Sequence, residues 1–221
     1  MRRVVVSWSS GKDATLTLLR LLERDDIHVV GLFTTHVDRY VPFQGTPIEV
    51  AELQAKRCGL PLITIALPEV FPANEVYQRL VVEGLANSGI EFDSLAFGDI
   101  YCNGIAEYRQ AYVEAAGWQC LFPLLAESSE SLANDLLARG VDTVLMCVDS
   151  ERLGDEFLGR YYSKALLEAL PKGVDLCGEE GEFHSLVLNA PCFDRAIAIE
   201  LADIDTQGRF HMQRYRVVEN D

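Results

Sequence analysis

The chain has 221 residues, 49% of them apolar and 24% charged, a globular balance that argues against disorder. Thirty-four acidic residues outweigh 19 basic ones for a formal net charge of −15, and residues 1–60 hold eight Lys/Arg against seven Asp/Glu. Residues 61–221 therefore carry −16, more than the whole net charge, on a surface that repels phosphate backbones and argues against a nucleic-acid partner. The β-branched run Val4–Trp8 predicts a first strand, and Leu16, Leu19 and Leu22 with Leu18 and Leu21 predict a helix over Ala14–Arg24. Val29–Thr35 reads as a second strand. A Pro- and Gly-rich loop then leads to a helix over Ile48–Cys58, closed by Gly59 and Pro61. A strand at Leu62–Leu67, a helix at Glu75–Asn87, a strand at Ser94–Phe97 and a helix at Ile105–Ala116 follow.

Pro123 marks a change. Ser128-Ser129-Glu130 is a capping signal for a helix running through Arg139, and Asp142–Val148 reads as a strand. A helix is expected around Gly159–Leu170. The glycine- and acid-rich turn Gly178–Glu182 enters a strand at Phe183–Leu188, and Arg195–Leu201 and His211–Val218 read as an antiparallel pair. Strands alternating with helices imply a parallel sheet covered on both faces, with a ligand beyond the carboxyl ends of the strands. The expected division is a nucleotide-type domain over residues 1–123 and a smaller α+β lobe over 124–221.

No apolar run approaches the ~18–20 residues of a membrane span, and the apolar stretch after Arg2-Arg3 is too short for a leader, so a cytoplasmic location is expected. Six scattered cysteines without a CxxC pair read as reduced thiols rather than a disulfide framework or a zinc site.

Ser9-Ser10-Gly11-Lys12-Asp13 lies between the first strand and the first helix, where backbone N–H groups and a helix dipole favour an anion. Lys12 adds a point charge for phosphate oxygens, and Asp13 either holds magnesium or caps the helix. As a bare pattern the loop reads equally well as an N-cap followed by a surface lysine. Asp99, at the carboxyl end of the fourth strand, overlooks the same edge and suits magnesium or an acceptor; a loop aspartate bonded to backbone N–H groups is the alternative. Arg109 can grip a phosphate or carboxylate, or form a surface ion pair. Glu179, Glu182 and His184 sit on the acidic turn, where clustered carboxylates invite a cation; a solvated turn is the plain alternative.

Ser9–Ala14 resembles the SGGKDS signature of the PP-loop, or N-type, ATP pyrophosphatases, and within them the diphthine–ammonia ligase family and its bacterial ATP-binding relatives. Gly98-Asp99-Ile100, Glu107-Tyr108-Arg109, Leu121–Leu124, Cys147-Val148-Asp149 and Cys177–Ser185, the last similar to a GENGEFHT stretch, follow in the family's order. The resemblance implies a Rossmann-like, adenine nucleotide alpha hydrolase-like fold. It also implies an AMP-forming amide ligase that adenylates a carboxylate and amidates it with ammonia, using ATP and Mg2+. Diphthine on a translation factor, or another carboxylate in a bacterium, would be the acceptor. The resemblance assigns Ser9, Ser10, Gly11, Lys12, Asp13 and Thr34 to ATP, with Asp13 also on magnesium. Gly98, Tyr108, Arg109, Glu179, Glu182 and Phe183 fall to the acceptor, and Lys12, Asp99 and His184 to catalysis. His184 would take a proton from the incoming nitrogen, and Phe183 and Tyr101 suit a trimethylammonium group. Ser10, Ala14 and Glu180 depart from the signatures, as does Phe43–Pro47, where relatives carry a basic segment. Ala14 in particular lacks a hydroxyl expected near phosphate. An RNA-modifying adenylase and a non-catalytic ATP-binding regulator remain alternatives, as does homodimer formation.

Overall fold

A computed structural model describes residues 1–42, 45–101 and 104–218. Phe43 and Gln44 of the departing loop, and Cys102, lie outside the described residues. The first sheet uses β1 (Arg2–Ser7), β2 (Ile27–His36), β5 (Leu62–Ala66), β6 (Ser94–Ala96) and β7 (Gln119–Leu121) in the order β5-β2-β1-β6-β7. All four pairings are parallel. Between β2 and β5 a short ladder of β3 (Tyr40–Val41) and β4 (Thr46–Pro47) precedes a helix. The helices joining these strands are α1 (Lys12–Leu22), α2 (Ile48–Arg57), α3 (Asn74–Ala86) and α4 (Ile105–Ala115). This is the parallel sheet the alternation implies, in the Rossmann-like form the resemblance implies. Val4, Val5 and Val6 are fully buried, as a central strand covered on both faces demands.

The order places the site. From β1 the chain builds outward through β2 to β5, then returns to lay β6 and β7 on the other side of β1. Loops leaving β1 and β6 thus diverge at one carboxyl edge, the switch point where ligands bind in such sheets.

Beyond it come α5 (Ser129–Ala138), β8 (Asp142–Asp149), α6 (Lys164–Ala169), β9 (Phe183–Asn189), β10 (Ala198–Asp205) and β11 (Phe210–Val218). Ser128 caps α5, its side chain accepting from Ser131 N–H. The four strands form an antiparallel sheet in the order β10-β11-β8-β9. Its β9 edge meets the loop and helix start that follow β1: Val187 N–H donates to the Ser10 carbonyl at 3.0 Å, and Lys12 N–H to Ser185 Oγ at 3.3 Å. One hydrophobic core takes in both regions, from Val4 and Leu16 to Leu145, Val187 and Phe183.

Two expectations are corrected. The helix around Gly159–Leu170 is only α6, because Gly159, Arg160 and Tyr162 bond to the backbone of β8 and Ser163 caps the shorter helix. Leu22, expected on the apolar face of α1, is 53% exposed, while α1 begins at Lys12, two residues earlier than its apolar spacing indicates. Strand β7 escapes the sequence because three residues carry no readable alternation. The five described cysteines are free, with Cys58 and Cys192 Sγ atoms 3.8 Å apart.

Candidate active site

The chain leaves β1 through Trp8 and turns at Ser10, a non-glycine residue at φ 72°. Gly11 caps α1 with no side-chain bond of its own, so Asp13 does not close the helix end, and the first N–H, that of Lys12, goes to Ser185 Oγ across the cavity. Lys12 occupies the first helical position and is 2% exposed. Its ammonium contacts both Asp13 carboxylate oxygens, at 2.8 and 2.7 Å, and lies 5.7 Å from the Phe183 ring centroid. Burial opposes the charge, but Asp13, Cys177 and Glu179 together outweigh it, so the Lys12 pKa lies above the usual lysine value. A surface lysine is thereby ruled out.

This helix start faces a cavity of about 230 Å³. Ser9, Gly11, Lys12 and Asp13 line one side, and Cys177–Glu179, Gly181 and Phe183–Ser185 the other. Burial raises the Cys177 thiol to about 12, so it stays protonated. Burial, helped by the Lys12 charge, lowers His184 to about 4, leaving a neutral imidazole.

The acidic turn divides its carboxylates. Glu182, expected to face an acceptor, is instead fully buried: it accepts from Asp175 N–H at 2.8 Å and Glu180 N–H at 3.0 Å, and pairs with Arg152 at 3.1 Å. The turn curls around it because Gly178 holds φ 72°, where a Cβ would stand 2.8 Å from the Phe183 carbonyl. Glu179 lines the cavity and also a second one of about 170 Å³ bounded by Asp99, Ile100, Tyr101 and Ile105. Burial, reinforced by Asp13, Asp175 and Asp99 and opposed by Lys12, lifts its pKa to about 7.

Other expected residues take supporting positions. Arg109 holds Asp99 bidentately at 2.5 and 3.0 Å while its guanidinium lies 4.3 Å from the Phe97 ring centroid, so within the chain its partner is a carboxylate. A Cβ on Gly98 would meet the Asp13 backbone and Thr17 Oγ1 at 3.1 Å, so glycine there lets the β6 exit pass close under α1. Tyr108 packs edge-on against Tyr112, outside both cavities. Thr34 and Ser10 are buried and line neither, and Ala14 lies in the core. Among the described residues, no group of three or more His, Cys, Asp or Glu side chains is placed to hold a metal.

Two residues that shape the site are absent from the sequence reading. Asp175 accepts from Tyr101 Oη and Ser129 Oγ at 2.6 Å each, and from the N–H groups of Cys177 and Glu179 at 2.8 and 3.3 Å. Gln54 is fully buried in α2. Its signal is a polar residue among the buried positions Val50, Ala51 and Ala55.

Comparison with known proteins bears on the whole chain. Residues 1–116 match the diphthamide synthase N-terminal domain and residues 128–218 its C-terminal domain. A diphthine–ammonia ligase of Schizosaccharomyces pombe is 26% identical over 219 residues, covering 86% of this chain and 35% of that protein. One of Rattus norvegicus is 24% identical over 232 residues, covering 91% of this chain and 84% of that protein. The chain thus spans about a third of the yeast relative and most of the rat one. A solved structure described as a predicted subunit of a tRNA methyltransferase from Methanocaldococcus jannaschii aligns with a TM-score of 0.49 and 19% identity, over 86% of this chain and 98% of that one. A U34-tRNA thiolase from Methanococcus maripaludis aligns at 0.41 and 15%, over 62% and 56%. With both of its domains matched in order, the chain belongs to the diphthamide synthase family.

Proposed function

We propose that the chain is an ATP-dependent, AMP-forming amide ligase that activates the carboxylate of diphthine, carried on a translation factor in the cytoplasm, and amidates it with ammonia. The observation that carries this reading is one cavity with a buried ammonium at a helix start on one wall and a carboxylate, Glu179, on the other. The diphthine–ammonia ligases among its relatives supply the reaction class. At about 230 Å³ the cavity is smaller than the ~300–1,000 Å³ of pockets that enclose whole ligands, which suits a phosphate group rather than a complete nucleotide.

A carboxylate has no good leaving group. Its oxygen attacks the α-phosphorus of ATP, forming a new P–O bond while the bond to the bridging oxygen breaks and pyrophosphate departs. The ammonia nitrogen then attacks the acyl carbon, AMP leaves with the C–O electron pair, and the nitrogen sheds a proton. No protein nucleophile is needed. Lys12 and the N–H groups of the α1 start neutralise and orient the phosphates, as preorganised donors do. Asp13 offers a hard carboxylate on the phosphate wall, a fit for Mg2+, which binds through one or two carboxylates plus substrate phosphates. When bound there the ion would neutralise phosphate charge. Glu179, once ionised, faces the cationic trimethylammonium group of the acceptor. Its pKa also suits it to take the departing proton near neutral pH, a task for which His184 at about 4 is a weak base.

The test is product analysis with ATP, Mg2+, ammonium and a diphthine-bearing translation factor. AMP and pyrophosphate in equal amounts, with conversion of carboxylate to carboxamide on the factor, are expected. ADP and orthophosphate, or no cleavage, would overturn the reading.

A further inference from the structure

Ser10 is held where side-chain-bearing residues rarely sit, at φ 72°. Its carbonyl accepts two hydrogen bonds, from Val187 N–H at 3.0 Å and from Gln54 Nε2 at 3.2 Å. The same Gln54 amide donates to the Val187 carbonyl at 2.7 Å, and its Oε1 accepts from Trp8 Nε1 at 2.9 Å. One fully buried side chain thus ties together the exit of β1, the loop and the edge of β9.

The consequence follows from peptide geometry. In a trans peptide the carbonyl and the next residue's N–H point in opposite directions. Drawing the Ser10 carbonyl inward therefore turns the Gly11 N–H outward, toward the wall that Ser9, Gly11 and Lys12 give to the cavity. There it has only a long contact, to Ser9 Oγ at 3.4 Å. Gln54 lines neither cavity that the loop or the acidic turn borders. We infer that Gln54 is a positioning residue, which captures the Ser10 carbonyl and so aims the Gly11 N–H at a phosphate oxygen. This rests on the reading that the cavity takes the phosphates of ATP.

Two features set this apart from ordinary core filling. A satisfied buried amide stabilises the fold wherever it sits, but here both of its N–H groups go to carbonyls at the join of loop and β9. The backbone it holds is also one that glycine adopts freely and serine does not. Removing the amide donors should release Ser10 from φ 72°, and replacing Ser10 with glycine should restore access to it.

The experiment uses the whole chain with inorganic pyrophosphate and Mg2+ as the probe, read by calorimetry, beside melting curves. Gln54→Met is expected to weaken pyrophosphate binding about tenfold or more, the loss of a charge-assisted bond. Gln54→Glu, which keeps the length and the Trp8 acceptor, serves if the first variant does not fold. Adding Ser10→Gly should recover most of the lost affinity without restoring the melting temperature. In the wild type the Gly11 amide resonance should shift on adding pyrophosphate, and in Gln54→Glu that shift should shrink. Undiminished pyrophosphate affinity in a folded Gln54 variant, or a loss that Ser10→Gly does not relieve, overturns the positioning role alone. Absence of pyrophosphate and ATP binding in the wild type overturns the ATP reading, and this inference with it.

Discussion

The loop at Ser9–Asp13 and the turn at Asp175–Ser185 face each other across one cavity, yet they are built on opposite plans. The first is the start of a regular helix after a regular strand, so the identity of each residue nearly fixes where it points: Gly11 opens the helix, and Lys12 and Asp13 form its first turn. The second has no such frame. Glu179 and Glu182 are three residues apart in the same turn, yet one borders the cavity and the other is sealed beneath it, with Arg152 and two backbone N–H groups as partners. At a helix start the order of residues fixes which of them face the strand edge, whereas in an irregular turn the backbone at Gly178 and Gly181 decides which acid borders the cavity.

Substitutions can break this contrast. Glu182→Ala should have the largest effect, on stability: about 2–4 kcal/mol by urea denaturation, because two backbone N–H groups lose a buried acceptor while Arg152 keeps Glu180. A loss under 1 kcal/mol would return Glu182 to the solvated acids. Lys12→Ala should weaken ATP binding by ~1.5–3 kcal/mol, roughly 10- to 100-fold, and nearly abolish AMP formation. Calorimetry showing unchanged affinity would remove Lys12 from the phosphate wall.

Glu179→Gln sharpens the comparison through pH. Its folded pKa lies above the unfolded value, so the folded protein holds the proton longer and stability falls as pH rises from about 4.5 to about 7. With the exposed part of the side chain discounted, Glu179→Gln should stabilise the ligand-free protein by about 1–2 kcal/mol above pH 7 and by nothing below the unfolded pKa. The KM for a cationic acceptor should fall across that pH range in the wild type and stay flat in the variant. A parallel fall in both would free Glu179 of the acceptor.

Ala14→Ser is the smallest change. The family signature carries a hydroxyl at this position, but Ala14 lies in the core rather than on the cavity, so ATP affinity should move less than twofold. A gain of ~1 kcal/mol would show that position 14 reaches the nucleotide after all.

Much of this was legible in the sequence. The β-branched runs of β1 and β2, the leucine spacing of α1 and the Ser128 cap follow local rules, and the strand–loop–helix at Ser9–Asp13 marks one wall of the cavity. What escaped depends on contacts distant in sequence. Gln54 acts on Val187, 133 residues away, and Asp175 on Tyr101, 74 away. The grip of Arg109 on Asp99 is open to any acid within reach, and only the fold selects it. Gly159–Tyr162 looked helical, but pairing with β8 outweighs its local preference.

The central claim is that a carboxylate oxygen attacks the α-phosphorus of ATP bound against Lys12. Its most direct test labels the acceptor carboxylate of a diphthine-bearing translation factor with 18O and follows the label by mass spectrometry during amidation. The label should appear in the phosphate of AMP, and Lys12→Ala should suppress its transfer. Label found in orthophosphate beside ADP, or kept wholly in the acceptor while ATP is consumed, would contradict the account.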